Sequence, residues 1–298
     1  MPELPEVETI RRGLQELIVG KIIKTVSSDT AATSSDMVKS FPNTPADVEQ
    51  FIKKAKITDV RRRAKVLLID LSTNYSLVIH LKMTGQLVFV GSGNRFGAGH
   101  PNDSLIGLLP DKSTRVVFDF TDDSHLYFND QRKFGWVRLI PTAEVPDIDF
   151  MKKVGPEPLE ADFTASGFAE RFKRRSRTSI KAALLDQTVI AGVGNIYADE
   201  SLWGAKIHPS TVVGDLSYSK FKLLYSEVRF VMNLSIDKGG STNRNYVNAE
   251  GKKGSYMDFA RVFRREGLPC PRCGTEIIKI RVAGRGTHIC PNCQRGSR

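Results

Sequence analysis

The four cysteines of this chain all fall between positions 270 and 293, as CPRC and CPNC separated by sixteen residues, and that arrangement leaves little choice of local fold. Two such knuckles present four thiolates to one tetrahedral ion, whereas disulfides would need an oxidising compartment. Between them Ile278, Ile280 and Val282 alternate with Lys279 and Arg281, and Ala283, Gly284, Arg285 and Gly286 supply a turn. The reading is a β-hairpin pinned by one structural Zn2+ on Cys270, Cys273, Cys290 and Cys293, with Arg285 at its tip. Charge supplies a partner. The formal net charge is +11, and residues 251 to 298 hold eleven Lys or Arg against three Asp or Glu. Basic charge so concentrated is the footprint of a polyanion binder. Nucleic acid fits better than anionic lipid or plain solubility, and Arg285 becomes a candidate DNA contact.

The other end of the chain carries different chemistry. It reads PELPEVET behind Met1, so removal of the initiator leaves Pro2 as a secondary amine with Glu3 and Glu6 close by. An α-amino group of pKa about 8 is neutral in roughly a fifth of molecules near pH 7.4, against about one in a thousand for a lysine. Attack by such an amine on a sugar carbon yields an iminium, as Schiff-base chemistry requires, and Glu3 is placed to move protons beside it. The plain alternative is a helix start: Val7, Ile10, Leu14 and Leu17 fall at helical spacing, acidic residues crowd the first turn, and Gly20 ends it.

After that helix the chain is β-rich to about residue 145. KVLLIDL, YSLVIHL and TRVVFDF are apolar or alternating runs, and TDDS is a turn before HLYFND. The segment from Gly91 to Lys112, rich in glycine and proline, is expected to be one long loop. Proline-rich residues 146–162 read as a linker. Beyond it IKAALLDQ, NIYADESLWGAK and KFKLLYSEVRFVMNL show helical periodicity. TVIAGVGN, between the first two, turns into a helix at Asn195, whose backbone N–H groups and side-chain donor suit a phosphate. It follows a helix and lacks the third glycine of a dinucleotide fingerprint, so no nucleotide cofactor is expected. RFKRRSR, at 171 to 177, is either a phosphate contact or a solvated helix face. No run of about 18 apolar residues occurs and the start lacks an export signal, so an intracellular, cytoplasmic protein is expected, with no membrane partner.

In order along the chain, PELPEVET, RRAKVLL at 62–68, NDQRKFGW at 129–136, GPEP at 155–158, IKAALLDQTVIAGVGNIYADESLWGAKIHP at 180–209, GGSTNRNYVN at 239–248 and the four-cysteine finger resemble the formamidopyrimidine-DNA glycosylase family. The resemblance covers nearly the whole chain. It implies an α+β multidomain fold: an N-terminal catalytic β-sandwich with flanking helices (1–145), a helix-two-turn-helix domain (163–250) and a β-hairpin zinc finger (257–298), with a lesion-capping loop near 239–256. It also implies a monomer acting on damaged double-stranded DNA gripped between domains, with the target nucleotide flipped out of the stack. Pro2 would expel an oxidised purine and cleave the abasic site by β,δ-elimination, with Glu3 protonating the opening sugar.

By the same resemblance Lys65 would contact a flanking phosphate and lower the amine pKa, and Lys181 would grip the lesion's phosphate. Met83, Arg132 and Phe134 would fill the hole left by the flipped nucleotide; strand alternation would point Arg132 and Phe134 the same way, while core packing is the ordinary reading of Met83 and Phe134. Asn195, Arg244 and Arg285 complete the implied DNA contacts. Ser113 and Arg115 stand where many members carry two histidines, leaving Arg115 as a possible phosphate contact. The five histidines (His80, His100, His125, His208 and His288) show no metal-ligand spacing. Two alternatives remain: an endonuclease VIII-like glycosylase for oxidised pyrimidines, against which Leu4 argues, and a noncatalytic zinc-finger DNA-binding protein.

Overall fold

The computed structural model describes residues 2–27, 43–91, 93–100, 102–241 and 255–296. Helix α1 (Leu4–Ile18) opens with Pro5 in its first turn and a reciprocal capping box between Glu3 and Glu6, and its apolar stripe Val7, Ile10, Leu14 and Ile18 is buried. So the helix start expected from the sequence exists, with Ile18 in the core where Leu17 was expected and Leu17 only partly buried.

Against that stripe lie two antiparallel sheets. The first contains β2 (Ile57–Arg63), β3 (Val66–Leu71), β4 (Tyr75–His80) and β9 (Trp136–Pro141), in the order β2-β3-β4-β9. The second is ordered β1-β7-β8-β5-β6, from β1 (Ile23–Ser27), β5 (Gly85–Gly91), β6 (Asn94–Gly99), β7 (Thr114–Phe120) and β8 (His125–Asp130). Alternation decides what each strand gives to the core. Leu67, Ile69 and Leu71 of β3 join Phe118 and Phe120 of β7 and Leu126 and Phe128 of β8 in one cluster with α1. Val66 and Leu68 face the other way, under Val145, Trp136 and Phe150. Both sheets are therefore apolar on two faces, which explains why their strands read as nearly unbroken apolar runs.

One expectation is corrected. The glycine-rich stretch 91–112 is not one long loop: β6 pairs with β5, placing Phe96 opposite Phe89 and Ala98 opposite Leu87. Its signal was the Phe96–Ala98 alternation, diluted by Gly97 and Gly99. Phe96 lies across α1 at Gly13, where a Cβ would come within 2.3 Å of the ring. A short 3-10 turn, Asp103–Leu105, follows, and Leu105 covers Val88, Val117 and Tyr127 on the sheet's outer face.

The chain divides into two compact units, Met1–Lys152 with Lys238–Ser255, and Lys153–Asp237 with Tyr256–Arg298. Helix α2 (Asp149–Lys153) lies at the division. The second unit holds α3 (Ala165–Lys173), α4 (Ile180–Leu185), α5 (Asn195–Gly204), α6 (Tyr218–Asp237) and a hairpin of β10 (Ile278–Val282) and β11 (Arg285–Ile289). Helix α5 is buried from Tyr197 to Gly204 although it carries Asp199 and Glu200. Both carboxylates must therefore be fully partnered. Glu200 receives the backbone N–H groups of Val262 at 2.9 Å and Phe263 at 2.8 Å, fastening the segment ahead of the zinc hairpin to α5. Among the described residues no helix is long and apolar enough to cross a membrane.

Candidate active site and nucleic-acid interface

Pro2 and Glu3 are buried at the head of α1. Glu3 is the N-cap residue, and its N–H donates to Glu6 Oε2 at 2.8 Å. The other Glu6 oxygen accepts from Ser241 N at 2.8 Å. In the capping box the Glu3 side chain in turn accepts the N–H of Glu6, and Glu3 is the carboxylate adjacent to Pro2 in the chain.

Lys65 sits in the two-residue turn joining β2 to β3, where Ala64 adopts φ 53°, and it is only 6% exposed. Two residues of the recognisable motifs hold that turn. Arg62 donates from Nη1 to Ala64 O at 3.1 Å and from Nε to Glu8 Oε2 at 3.0 Å, tying the turn to α1. Burial pushes the Glu8 carboxyl up, but hydrogen bonds and charges from Arg11 and Arg62 outweigh it and hold it below its ordinary value. In the sequence Glu8 and Arg62 carry no signal beyond membership in PELPEVET and RRAKVLL. Burial, with the charges of Lys82 and Lys65, pushes His80 down to about 3, so a neutral imidazole lies in the field of Lys65.

Met83 and Phe134 are not core residues. They are 38% and 49% exposed, on the β4–β5 and β8–β9 turns, which removes the packing reading. Arg132 and Phe134 lie in a turn and not in a strand, so alternation does not align them; instead the Arg132 guanidinium stacks 4.8 Å from the Phe134 ring. Arg115, by contrast, is 5% exposed and spends its guanidinium on carbonyls, with Nε 2.8 Å from Asp130 O and Nη2 3.0 Å from Lys112 O. As arranged it braces the start of β7 against the end of β8.

Lys181 is likewise engaged within the protein. Its side chain is fully buried, with Nζ 2.5 Å from Asp199 Oδ1 and 2.6 Å from Thr287 Oγ1. Asp199 Oδ2 accepts from His288 N at 2.9 Å. The lysine ties α4 and α5 to the zinc hairpin. Asn195 begins α5 and donates to Gly286 O at 3.1 Å, so the helix N-terminus meets the hairpin beside Arg285. Asn195, Phe263, Arg264, Glu266, Lys279 and His288 line a surface pocket of about 490 Å³ here. Arg285 is exposed, one residue past the Ala283–Gly284 turn, whose residues take φ 50° and 72°. Arg244 lies outside the described residues, as does most of the lesion-capping loop expected near 239–256.

The four Sγ atoms lie within 4.8 Å of one another, with Cys273–Cys290 at 3.5 Å and Cys270–Cys293 at 3.9 Å. A tetrahedron of thiolates about 2.3 Å from zinc has edges of about 3.8 Å, whereas a disulfide needs about 2.05 Å. Hydrogen bonds from Thr275 and Asn292 hold Cys273 down to about 5, and burial pushes Cys290 up to about 12. Bound zinc would keep all four as thiolates. The cysteines fit one zinc ion, which would complete the hairpin's core.

Three family models match in order: the formamidopyrimidine-DNA glycosylase N-terminal domain over residues 1–137, its H2TH domain over 154–246, and the zinc finger found in FPG and IleRS over 267–296. The chain belongs to the formamidopyrimidine-DNA glycosylase family. It is 42% identical over 294 residues to the formamidopyrimidine-DNA glycosylase of Pediococcus pentosaceus, covering 99% of each chain. With that of Desulforamulus reducens it shares 40% over 300 residues, again 99% of each. Among solved structures it is similar to a Lactococcus lactis FPG variant in complex with Fapy-dG-containing DNA, at TM-score 0.84 and 35% identity over 99% of this chain and all of that one. The Lactococcus lactis Fpg complex with abasic-site DNA gives 0.83 and 34% over the same shares. The sandwich, the α4–α5 pair and the zinc hairpin are thus the parts of a formamidopyrimidine-DNA glycosylase.

Proposed function

We propose that this chain is a monomeric base-excision repair enzyme that removes oxidised purines, 8-oxoguanine and formamidopyrimidines, from duplex DNA and then cleaves the abasic site. The observation that carries the reading is Pro2 followed by buried Glu3 at the head of α1, in a chain matching glycosylases of this family over 99% of its length. With Met1 removed, the Pro2 nitrogen attacks C1′, and the bond from C1′ to the base breaks, the base leaving with a proton. Glu3 protonates O4′ as the sugar ring opens, giving an iminium between Pro2 and C1′. The iminium acidifies the C2′ proton; its loss expels the 3′ phosphate, and a second elimination expels the 5′ phosphate. Water then releases the enzyme. Lys65 contributes a fixed positive charge that favours the neutral amine and meets a flanking phosphate. Asn195 and Arg285 form a phosphate-binding patch, and Met83, Arg132 and Phe134 occupy the space of the extruded nucleotide.

The test is incubation with an 8-oxoguanine duplex and borohydride. A protein–DNA adduct, with strand cleavage in its absence, is the expected result; neither product would overturn the reading and favour a noncatalytic DNA-binding protein.

Arg132→Ala is expected to slow excision of a base-paired lesion at least about tenfold, equivalent to about 1.4 kcal/mol in the barrier, yet to spare cleavage at a preformed abasic site, where no base is expelled. Single-turnover rates on both substrates check it, and equal losses would reduce Arg132 to a phosphate contact. Cys290→Ser is expected to lose both metal and duplex affinity. Arg285→Ala should keep the metal but lower the salt dependence of binding by about one phosphate contact. Metal content and binding titrations against salt decide between them; tight duplex binding by the metal-free variant would contradict the role given to the finger.

A further inference from the structure

We propose that Asp130 is a positioning residue for base extrusion, its buried carboxylate locking together the two turns that carry Met83, Arg132 and Phe134. The inference rests on the glycosylase reading above. Asp130 ends β8, opposite Gly85 at the start of β5, and is fully buried. Its Oδ1 accepts the Thr84 hydroxyl, from the residue next to Met83, and the N–H of Arg132 at 3.2 Å. Oδ2 accepts the N–H of Gly135, next to Phe134, at 2.6 Å. Thr84 Oγ1 in turn accepts from Arg132 N at 3.1 Å, which closes the bridge between the turns.

Only a carboxylate can accept on both sides here; asparagine would set an amide N–H2 against one of these donors. The geometry leaves little slack. A Cβ at Gly85 would lie 2.3 Å from Leu81 O, and one at Gly135 would lie 2.8 Å from Phe128 Cζ and 3.1 Å from Asp130 Oδ2. Lys82 and Lys133, one in each turn, take φ 51° and 57°, a conformation that needs support from its surroundings. The three side chains are thus exposed on turns that do not move independently. They are presented to the duplex as one preorganised wedge, and the ordering cost of inserting them is met before DNA binds.

The experiment compares Asp130→Asn and Thr84→Val with the unsubstituted protein under single-turnover conditions, on an 8-oxoguanine duplex and on a duplex with a preformed abasic site. Both variants are expected to excise the lesion about 10- to 100-fold more slowly while abasic-site cleavage changes by less than about threefold. If the carboxylate acts through the wedge, Asp130→Asn with Arg132→Ala loses less than the product of the two single losses. Thr84→Val removes one hydroxyl, and it decides the matter alone if Asp130→Asn does not fold. Equal losses on both substrates, unchanged excision, or a fully multiplicative double variant would each overturn the assignment. Failure of the unsubstituted protein to excise anything would instead overturn the glycosylase reading beneath it.

Discussion

A protein that keeps Met1, or carries an added residue ahead of Pro2, is expected to form no borohydride-trapped adduct with an 8-oxoguanine duplex. Acylation turns the Pro2 nitrogen into a tertiary amide with no available lone pair, so neither attack on C1′ nor iminium formation can proceed. The alternative nucleophile nearby in the motifs is Lys65, and an amine of pKa about 10.4 is neutral in only about one molecule in a thousand at pH 7.4. Pro2→Gly restores a terminal amine, now primary, once Met1 is removed; it should trap more weakly because it lacks the ring that fixes the nitrogen's direction. Mass spectrometry of the N-terminus establishes the state of Met1, and gel mobility after borohydride reads the adduct. Undiminished trapping by the blocked protein would assign the chemistry to another amine. DNA affinity serves as the control, since blocking one amine leaves the DNA-contacting surfaces intact.

Asp199→Ala is expected to be among the most destabilising single changes in the second unit, by about 3–5 kcal/mol, because it strands the Lys181 ammonium in a fully buried site. The same change removes the acceptor of His288 N, 2.9 Å away on β11, so of the zinc hairpin's ties to α5 the one from Asn195 to Gly286 O is kept and this one is lost. Lys181→Met leaves an uncompensated carboxylate, yet that carboxylate keeps its bond from His288 N; its loss should be smaller. The double variant, with no stranded ammonium, should be more stable than Asp199→Ala alone. Urea unfolding of the zinc-loaded protein measures this, with Trp203 as reporter in a Trp136→Phe background, since the chain has two tryptophans. Equal stability of Asp199→Ala and the parent would mean that the pair is solvated and would overturn this account.

Much of the site was legible because its signals are local. Four cysteines at fixed spacing state a zinc hairpin wherever the chain puts them, and the sulfur positions agree. The Pro2–Glu3 step, the start of α1 and the strands β3, β4, β7 and β8 depend on neighbours a few residues away. The Phe96–Ala98 alternation of β6 was equally local, but its glycines carried the stronger apparent signal, and only pairing with β5 and the seat of Phe96 at Gly13 reveal the strand.

What the sequence by itself determined, then, was the family and the cysteine cluster that fits one zinc ion. The tertiary structure decided which charged and apolar side chains face solvent. Arg115 and Lys181 look like DNA contacts in a basic chain, but their partners come from residues distant in sequence: Lys181 meets Asp199 and Thr287, and Arg115 meets the carbonyl of Asp130. Met83 and Phe134 look like core and are exposed, because the turns that carry them are held outward by Thr84, Arg132 N and Gly135 N on one carboxylate. The physical reason is the same in each case. A side chain's charge or apolarity is fixed by its identity, whereas its burial and the donors that offset that burial exist only after distant segments are brought within hydrogen-bonding distance.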